Sequence, residues 1–187
     1  MKLPIMKYGN PVLRTKGKWI RQVDDRIRTL AEDMLETMHE AHGIGLAAQQ
    51  IGAPLQLTVL DISQVEDRPS AMLLNGIEVD PAGAMPLILL NPRIELDDQI
   101  TAELEGCLSF PDITAEIDRA ISVAVEAETL EGDAVRIEAS GLLARALQHE
   151  IDHLNGILFI DRMSSAAKAS LASRLKRLQK ETMRSAD

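Results

Sequence analysis

Cysteine and aromatic residues are scarce in this sequence. Its 187 residues include one cysteine, one tryptophan, one tyrosine and two phenylalanines. A single cysteine excludes an internal disulfide framework, and so few aromatic rings exclude a base-stacking platform for single-stranded nucleic acid. We therefore expect an aliphatic core in which several of the eight methionines fill irregular gaps.

Long apolar runs and an excess of positive charge are also absent. The longest apolar run, 84–90, is interrupted by Pro86 and is far shorter than the roughly 20 residues of a membrane-spanning helix. The N-terminal segment lacks the apolar stretch of a secretory signal. These absences predict a cytoplasmic protein with no membrane segment. The net charge of −9 disfavours a broad basic surface for nucleic acid.

Apolar residues at helical spacing predict three helices in a single domain spanning 1–187. The first helix covers 24–41, where apolar side chains recur at i, i+3, i+4 and i+7. The second covers 140–155, with Gly156 as its C-terminal stop. The third is a basic amphipathic helix over 164–187. A chain of this length typically forms one domain.

Short runs that alternate apolar and polar residues predict antiparallel strands with one solvated face. The strand-like runs lie at 55–61, 86–91, 121–127 and 134–138. We expect the polar segment 63–83 to be a long loop or a hairpin insertion. A helix, several strands and two further helices in this order predict an α+β fold and not a doubly wound parallel sheet.

The strongest chemical signal is the sequence His-Glu-x-x-His at 149–153. Two histidines four residues apart share one face of a helix, so both imidazoles can reach one metal ion, and Glu150 can take a proton from metal-bound water. The alternative is a pair of buried, hydrogen-bonded histidines. Because one cation would satisfy both buried imidazoles at once, the spacing predicts a metal site.

A catalytic metal site needs a third protein ligand and one open position. In one class of zinc peptidases the third ligand is a histidine, but that position is Phe159 here. The only glutamate downstream of the motif is Glu181, which lies in a basic stretch. Cys107 is the remaining soft ligand, and metal binding would hold its sulfur as a thiolate. A lone cysteine is also commonly a small buried side chain, so spacing alone leaves both interpretations open.

The segment 43–48, Gly-Ile-Gly-Leu-Ala-Ala, matches the glycine pattern of dinucleotide-binding loops. That pattern follows a strand and opens a helix, whereas here a helix precedes the segment and a strand follows it. The sequence therefore argues against a nucleotide cofactor. We expect instead a flexible loop that lets a substrate chain approach, with Gln49 or Gln50 as an amide donor.

Three segments carry a resemblance to a known family. They are Gly43-Ile-Gly-Leu-Ala-Ala-Gln-Gln50, Glu105-Gly-Cys-Leu-Ser109 and Gln148-His-Glu-Ile-Asp-His153. Together they closely resemble the signature motifs of the peptide deformylases, and Asn10-Pro-Val-Leu-Arg14 is also similar to that family. The resemblance implies small antiparallel sheets packed around a central metal-binding helix, with a further helix towards each terminus.

The resemblance implies a hydrolase that removes the formyl group from the N-terminal formyl-methionine of newly synthesised polypeptides. It implies that Cys107, His149 and His153 bind the metal. A thiolate with two imidazoles suits Zn²⁺, Fe²⁺, Co²⁺ or Ni²⁺. The resemblance favours Fe²⁺, with the other ions as substitutes.

The resemblance also implies roles for five further residues. Glu150 would act as general base and then as general acid. Gln50 and the backbone N–H of Leu108 would stabilise the negatively charged oxygen formed during attack. Ile44 and Gly45 would bind the substrate.

Three features depart from the family pattern. The insertion at 63–83 is longer than in compact members of the family. The segment 111–118 is more acidic than expected and contains no glycine. Arg145, one turn before His149, occupies a position where aliphatic residues are frequent. Its side chain would either face the methionine pocket or pair with Glu103 or Glu105.

Other features leave alternatives open. The basic C-terminal helix would either contact ribosomal RNA or pack its leucines on the body of the protein. His39 and His42, at the end of the first helix, are expected to be structural.

Two functions compete with deformylation. One is a zinc endopeptidase, which would need a carboxylate or histidine as third ligand, and the other is a catalytically silent relative that binds metal or formylated chains.

Overall fold

The computed structural model describes residues 1–185. Within these residues the α-helices are α1 (Asp25–Glu40), α2 (Leu142–Leu154) and α3 (Ser165–Arg184). The strands are β1 (Gly45–Ala47), β2 (Leu57–Leu60), β3 (Ser70–Leu74), β4 (Ile77–Val79), β5 (Leu87–Leu96), β6 (Ile100–Cys107), β7 (Phe110–Ala120), β8 (Ser122–Glu128) and β9 (Ala134–Gly141). Residues 186 and 187, the expected end of the C-terminal helix, lie outside the described range.

All three expected helices are confirmed, and each begins within two residues of the expected position. The side chain of Asp24 caps α1 by accepting a hydrogen bond from the backbone N–H of Ile27 at 3.0 Å. Ser164 caps α3 in the same way, since its hydroxyl accepts from the N–H of Ala167 at 3.1 Å. No helix within residues 1–185 combines the length and the apolar character needed to span a bilayer.

The strands described in residues 1–185 form two antiparallel sheets. Seven of them make a main sheet in the order β1-β2-β5-β8-β9-β3-β4, and β6 pairs with β7 in a separate hairpin. The expected hairpin within 63–83 is confirmed as β3 and β4. Asn75 and Gly76 join them with φ values of 50° and 81°, which suit a tight turn. The hairpin belongs to the main sheet because β3 pairs with β9.

Helix α2 lies at the centre of the molecule. Every residue of α2 except Asp152 is buried, and the helix contacts strands of both sheets. One aliphatic cluster packs α2 against the main sheet, and a second packs α1 against β1 and β2. A third surrounds Phe110 and Phe159 and takes in Leu175 of α3. The expected α+β fold around a central His-Glu-x-x-His helix is confirmed, and the leucines of α3 pack on the body of the protein.

The expectation of a flexible loop at 43–48 is wrong. Residues Gly45–Ala47 form strand β1, which pairs with β2 at the edge of the main sheet. A 3-10 helix, Ala48–Ile51, follows directly. Leu46 and Ala47 are fully buried, so pairing and burial outweigh the weak strand propensity of this glycine- and alanine-rich segment.

The long hairpin of β6 and β7 is not among the expected strands, and in β6 the polar residues face inward. Its apolar residues Ile100 and Leu104 are exposed, at 64% and 60%. Its polar residues Thr101, Glu103 and Glu105 are the half-buried ones. Inward carboxylates require cationic or hydrogen-bonding partners, and these partners lie at the candidate site.

Candidate metal centre and active site

Cys107, His149 and His153 converge where the end of β6 meets one face of α2. One potential ligand atom from each lies within 4.8 Å of the other two, and Cys107 Sγ is 3.3 Å from His153 Nε2. In a tetrahedral site with bonds of about 2.3 Å to sulfur and about 2.0 Å to nitrogen, ligand atoms are about 3.5 Å apart. The three donors therefore fit a single metal ion.

Glu105 is a functional candidate that the sequence analysis missed. Its Oε1 accepts a hydrogen bond from His149 Nδ1 at 2.9 Å, which leaves Nε2 of that ring available to bind a metal ion. Burial disfavours charge on Glu105, but hydrogen bonds from His149 and Arg119 outweigh it and lower the pKa of Glu105 to about 2. Metal-bound histidines commonly donate their other ring N–H to a carboxylate. The available signal was the position of Glu105, two residues before Cys107.

The charges around the cluster suit a cation. Burial lowers the pKa of His149, but the hydrogen bonds to Cys107 and Glu105 outweigh burial and raise that pKa well above its ordinary value. Positive charge is therefore stabilised at this point. Burial and the neighbouring charge of His149 lower the pKa of His153, which keeps this imidazole in the neutral form that binds metal.

Glu150 lies beside the cluster and packs against β1. A Cβ at position 45 would stand 2.7 Å from the carboxyl carbon of Glu150, so Gly45 leaves the space that this side chain fills. Glu150 Oε2 is buried and has no hydrogen-bond partner in the described part of the chain. Burial raises the pKa of Glu150 to about 7, although the charges of His149 and Arg119 oppose the shift. A carboxyl group with a pKa near neutrality can both accept and release a proton.

Gln50 and Leu108 lie at the same centre. Gln50 Oε1 accepts a hydrogen bond from the backbone N–H of Ala47 at 2.9 Å, which fixes the orientation of the amide. Gln50 Nε2 donates to Ser109 Oγ at 3.1 Å and approaches Cys107 Sγ at 3.6 Å. Because Leu108 directly follows Cys107 in the chain, its backbone is held next to the same sulfur.

A cavity of about 550 Å³ opens onto this centre. Ile44 and Gly45 line it on the side of β1, and 112–114 line it on the side of β7. The acidic segment 111–118 therefore forms part of β7 and borders the cavity. His42 also lines the cavity, whereas His39 lies 2.9 Å from Asp61 Oδ2 through its Nε2.

The structure bears on three alternatives that the sequence leaves open, which concern Gln49, Arg145 and Glu181. Gln49 turns away from the cavity and donates to the carbonyl of Leu154 at 3.1 Å, so Gln50 is the amide at the centre. The ion pair expected for Arg145 is confirmed, since its Nη2 lies 3.0 Å from Glu105 Oε2, and Arg145 also lines the cavity. Glu181 is exposed on α3 and does not belong to the Cys/His/His group. A zinc endopeptidase site with a glutamate as third ligand is therefore not supported.

Comparison with protein families and curated relatives gives one consistent result. The family model described as polypeptide deformylase matches residues 2–169. The peptide deformylase of Opitutus terrae is 44% identical over 184 residues, which cover 97% of this chain and 95% of the relative. Both matches extend far beyond the three motifs at the candidate site.

Solved structures agree with the sequence comparison. The peptide deformylase of Thermus thermophilus superposes with a TM-score of 0.81 at 38% identity, covering 97% of this chain and 99% of that one. The Synechococcus elongatus peptide deformylase in complex with actinonin gives a TM-score of 0.78 at 37% identity, covering 92% and 87%. Sequence, fold and a Cys/His/His cluster in a central cleft thus agree, and the chain belongs to the peptide deformylase family of metal-dependent hydrolases.

Proposed function

We propose that this chain, acting as one catalytic domain, removes the formyl group from the formyl-methionine of new polypeptides with one divalent ion held by Cys107, His149 and His153. The observation that carries the proposal is the convergence of these three donors beside the buried carboxyl group of Glu150. When bound there, a divalent ion supplies Lewis acidity that polarises the formyl carbonyl and lowers the pKa of water.

Glu150 moves the proton in this proposal. Its carboxylate takes the proton from the attacking water and delivers it to the amine that leaves as the C–N bond breaks. A pKa of about 7 suits both halves of this transfer. Glu150 Oε2 is the oxygen free to contact the attacking water, because no described residue forms a hydrogen bond with it.

Gln50 and Leu108 stabilise the negative charge that develops on the formyl oxygen. The Gln50 amide is held at its oxygen by the N–H of Ala47, so its NH₂ group is oriented before the substrate arrives. The N–H of Leu108 supplies a second donor next to Cys107. Donors fixed in advance are effective because they need no reorganisation during the reaction.

The substrate backbone lies along β1 at Ile44 and Gly45. β1 stands at the edge of the main sheet, and an extended peptide can add to such an edge through main-chain hydrogen bonds. The methionine side chain enters the cavity beside α2, where Leu142 and Ala146 supply apolar surface.

Replacing Gly45 with alanine should lower kcat while leaving metal affinity unchanged. The added methyl group would overlap the Glu150 side chain, and a displacement of about 1 Å can cost roughly 100-fold in rate. Steady-state formate release and zinc titration measure the two quantities. Gly83→Ala is the matched control, because its Cβ would make only an ordinary contact with Asp80 at 3.4 Å. Unchanged kcat in Gly45→Ala would contradict the proposed placement of Glu150.

We propose Fe²⁺ as the native ion and the cytoplasm as the place of action, with Zn²⁺, Ni²⁺ or Co²⁺ able to substitute. The thiolate and two imidazoles accept all four ions. Elemental analysis of protein purified without oxygen tests the assignment, and iron at one ion per chain is the expected result. Zinc as the only bound metal in such protein would contradict it.

We also propose that α3 contacts the ribosome through its exposed basic residues. Its leucines pack inward, whereas Lys176, Arg177 and Lys180 are exposed and available to phosphates. Co-sedimentation with ribosomes should fall for Lys176→Glu/Lys180→Glu, with activity on short peptides unchanged. Equal co-sedimentation of this variant and the wild type would refute the contact.

Formate release from a formyl-Met peptide tests the proposed function. The protein is purified without oxygen and assayed with and without a chelator, with an acetyl-Met peptide as the control substrate. We expect chelator-sensitive release of formate and no cleavage of internal peptide bonds. Metal-loaded protein that releases no formate would instead support a silent relative, and internal cleavage would support an endopeptidase.

A further inference from the structure

Arg145 connects the two structural units that supply the metal ligands. It belongs to α2, one turn before His149, and only 3% of the residue is exposed. Its Nη1 donates to the carbonyl of Thr101 at 3.1 Å, and its Nη2 donates to the carbonyl of Ile117 at 2.5 Å and lies 3.3 Å from the carbonyl of Glu103. One guanidinium group on α2 thus holds both strands of the β6–β7 hairpin.

The position of this hairpin determines where Cys107 lies. Among the described strands, β6 and β7 pair with each other and not with the main sheet. The hairpin is therefore not held in place by strand pairing with the rest of the protein. Cys107 ends β6, whereas His149 and His153 belong to α2. The distance between sulfur and imidazoles therefore depends on contacts across the interface between hairpin and helix.

Glu105 joins Arg145 to the metal centre. Its Oε2 accepts from Arg145 Nη2 at 3.0 Å, and its Oε1 accepts from His149 Nδ1 at 2.9 Å. Arg119 crosses the same interface in the opposite direction, from β7 to Asp152 of α2, at 2.6 Å. Arg145 is thus bonded to the carboxylate that orients one ligand and to the strand that carries another.

We propose that Arg145 is a positioning residue for the metal centre, which sets the separation of Cys107 from His149 and His153 through Glu105 and the hairpin carbonyls. The inference rests on the ligand set proposed above. A planar guanidinium can donate to several acceptors in fixed directions, whereas a lysine ammonium is a compact charge at the end of a flexible stem. Lysine at position 145 should therefore not replace this function.

Metal affinity tests the inference without recourse to activity. Zinc dissociation constants are measured by competition with a chelating indicator for the wild type, Arg145→Lys and Arg145→Met. Loss of a residue that orients metal ligands typically weakens binding about 10- to 100-fold, and we expect losses in this range for both variants. The absorption of the cobalt-substituted proteins should show a weakened sulfur-to-cobalt charge-transfer band.

Arg136→Met is the matched control. Arg136 lies on β9 and pairs with Glu126 in an exposed ion pair, so its loss should change neither zinc affinity nor the cobalt spectrum. Wild-type zinc affinity and an unchanged spectrum in both Arg145 variants would overturn the inference. If Arg145→Met does not fold, Arg145→Lys, which retains the charge, decides the question alone.

A double-mutant cycle with Glu105→Gln separates positioning from a general effect on stability. If Arg145 acts through Glu105, the loss of zinc affinity caused by Arg145→Met should be much smaller in the Glu105→Gln background. An equal fold-loss in both backgrounds would refute action through Glu105. The ligand set is tested separately, because zinc should bind to the wild type and not to Cys107→Ala. Failure of the ligand set and failure of the Arg145 inference therefore give different results.

Discussion

Glu150→Gln should bind metal as the wild type does and should release almost no formate. Glutamine has nearly the same shape as glutamate but cannot take a proton from water or deliver one to the leaving amine. General acid–base catalysis by one group typically contributes about 10²- to 10⁴-fold in rate. Glu150 is not a member of the Cys/His/His group, so metal affinity should be retained. Single-turnover formate release and zinc competition measure the two effects.

The control for this variant is Glu116→Gln, which removes one carboxylate from the exposed face of β7. It should match the wild type in both measurements. Full turnover in Glu150→Gln would remove Glu150 from the mechanism. Loss of metal together with turnover would show that the carboxylate helps to assemble the site and would contradict a purely proton-transferring role for Glu150.

Cys107→Ala should lose most of its metal affinity and, with it, its activity. The substitution removes the sulfur that lies 3.3 Å from His153 Nε2 and leaves two imidazoles, one fewer than the three protein ligands of typical catalytic sites. Because changes outside the ligand shell already cost about 10- to 100-fold in affinity, removal of a ligand should cost more than roughly 100-fold. Zinc competition and formate release at saturating metal measure the outcome.

Ile100→Ala serves as the control for Cys107→Ala. It changes an exposed residue at the opposite end of the same strand, and its metal affinity should equal that of the wild type. A Cys107→Ala protein that remains metal-loaded and active would exclude Cys107 from the ligand set. Such a result would leave the two histidines as the metal-binding pair and would require a different third ligand.

Local patterns in the sequence predict the helical half of the site. His149 and His153 are one turn apart, so their meeting depends only on helix geometry. The helix itself is predicted by apolar residues at helical spacing. In the structure every residue of α2 except Asp152 is buried. The caps of α1 and α3 are equally local, because Asp24 and Ser164 bond to residues three positions later. Such features need no knowledge of the tertiary fold.

The hairpin half of the site depends on contacts distant in sequence. Cys107 reaches the histidines only because β6 and β7 dock on α2. The polarity of β6 is the reverse of the usual pattern, with Leu104 exposed and Glu105 directed towards buried arginines. Arg119 and Asp152 meet across that interface at 2.6 Å. The alternation in β6 would place its apolar residues inward, so periodicity gives the wrong buried face. The full ligand set is implied only by the motif resemblance.

Strand β1 illustrates the same limit. Its sequence, Gly-Leu-Ala, has weak strand propensity, and the flexible loop expected there is replaced by a paired strand. The pairing partner, β2, lies ten residues further along the chain, with Gly45 opposite Leu60. Tertiary pairing therefore determines the local structure, and the packing of Glu150 on Gly45 requires that arrangement.

X-ray absorption at the metal edge of the zinc-loaded protein identifies the metal ligands directly. We expect one sulfur ligand at about 2.3 Å and two nitrogen ligands at about 2.0 Å from the ion. The sulfur contribution should disappear in any zinc retained by Cys107→Ala. A zinc site with only nitrogen and oxygen ligands in the wild type would contradict the proposed Cys107, His149 and His153 centre.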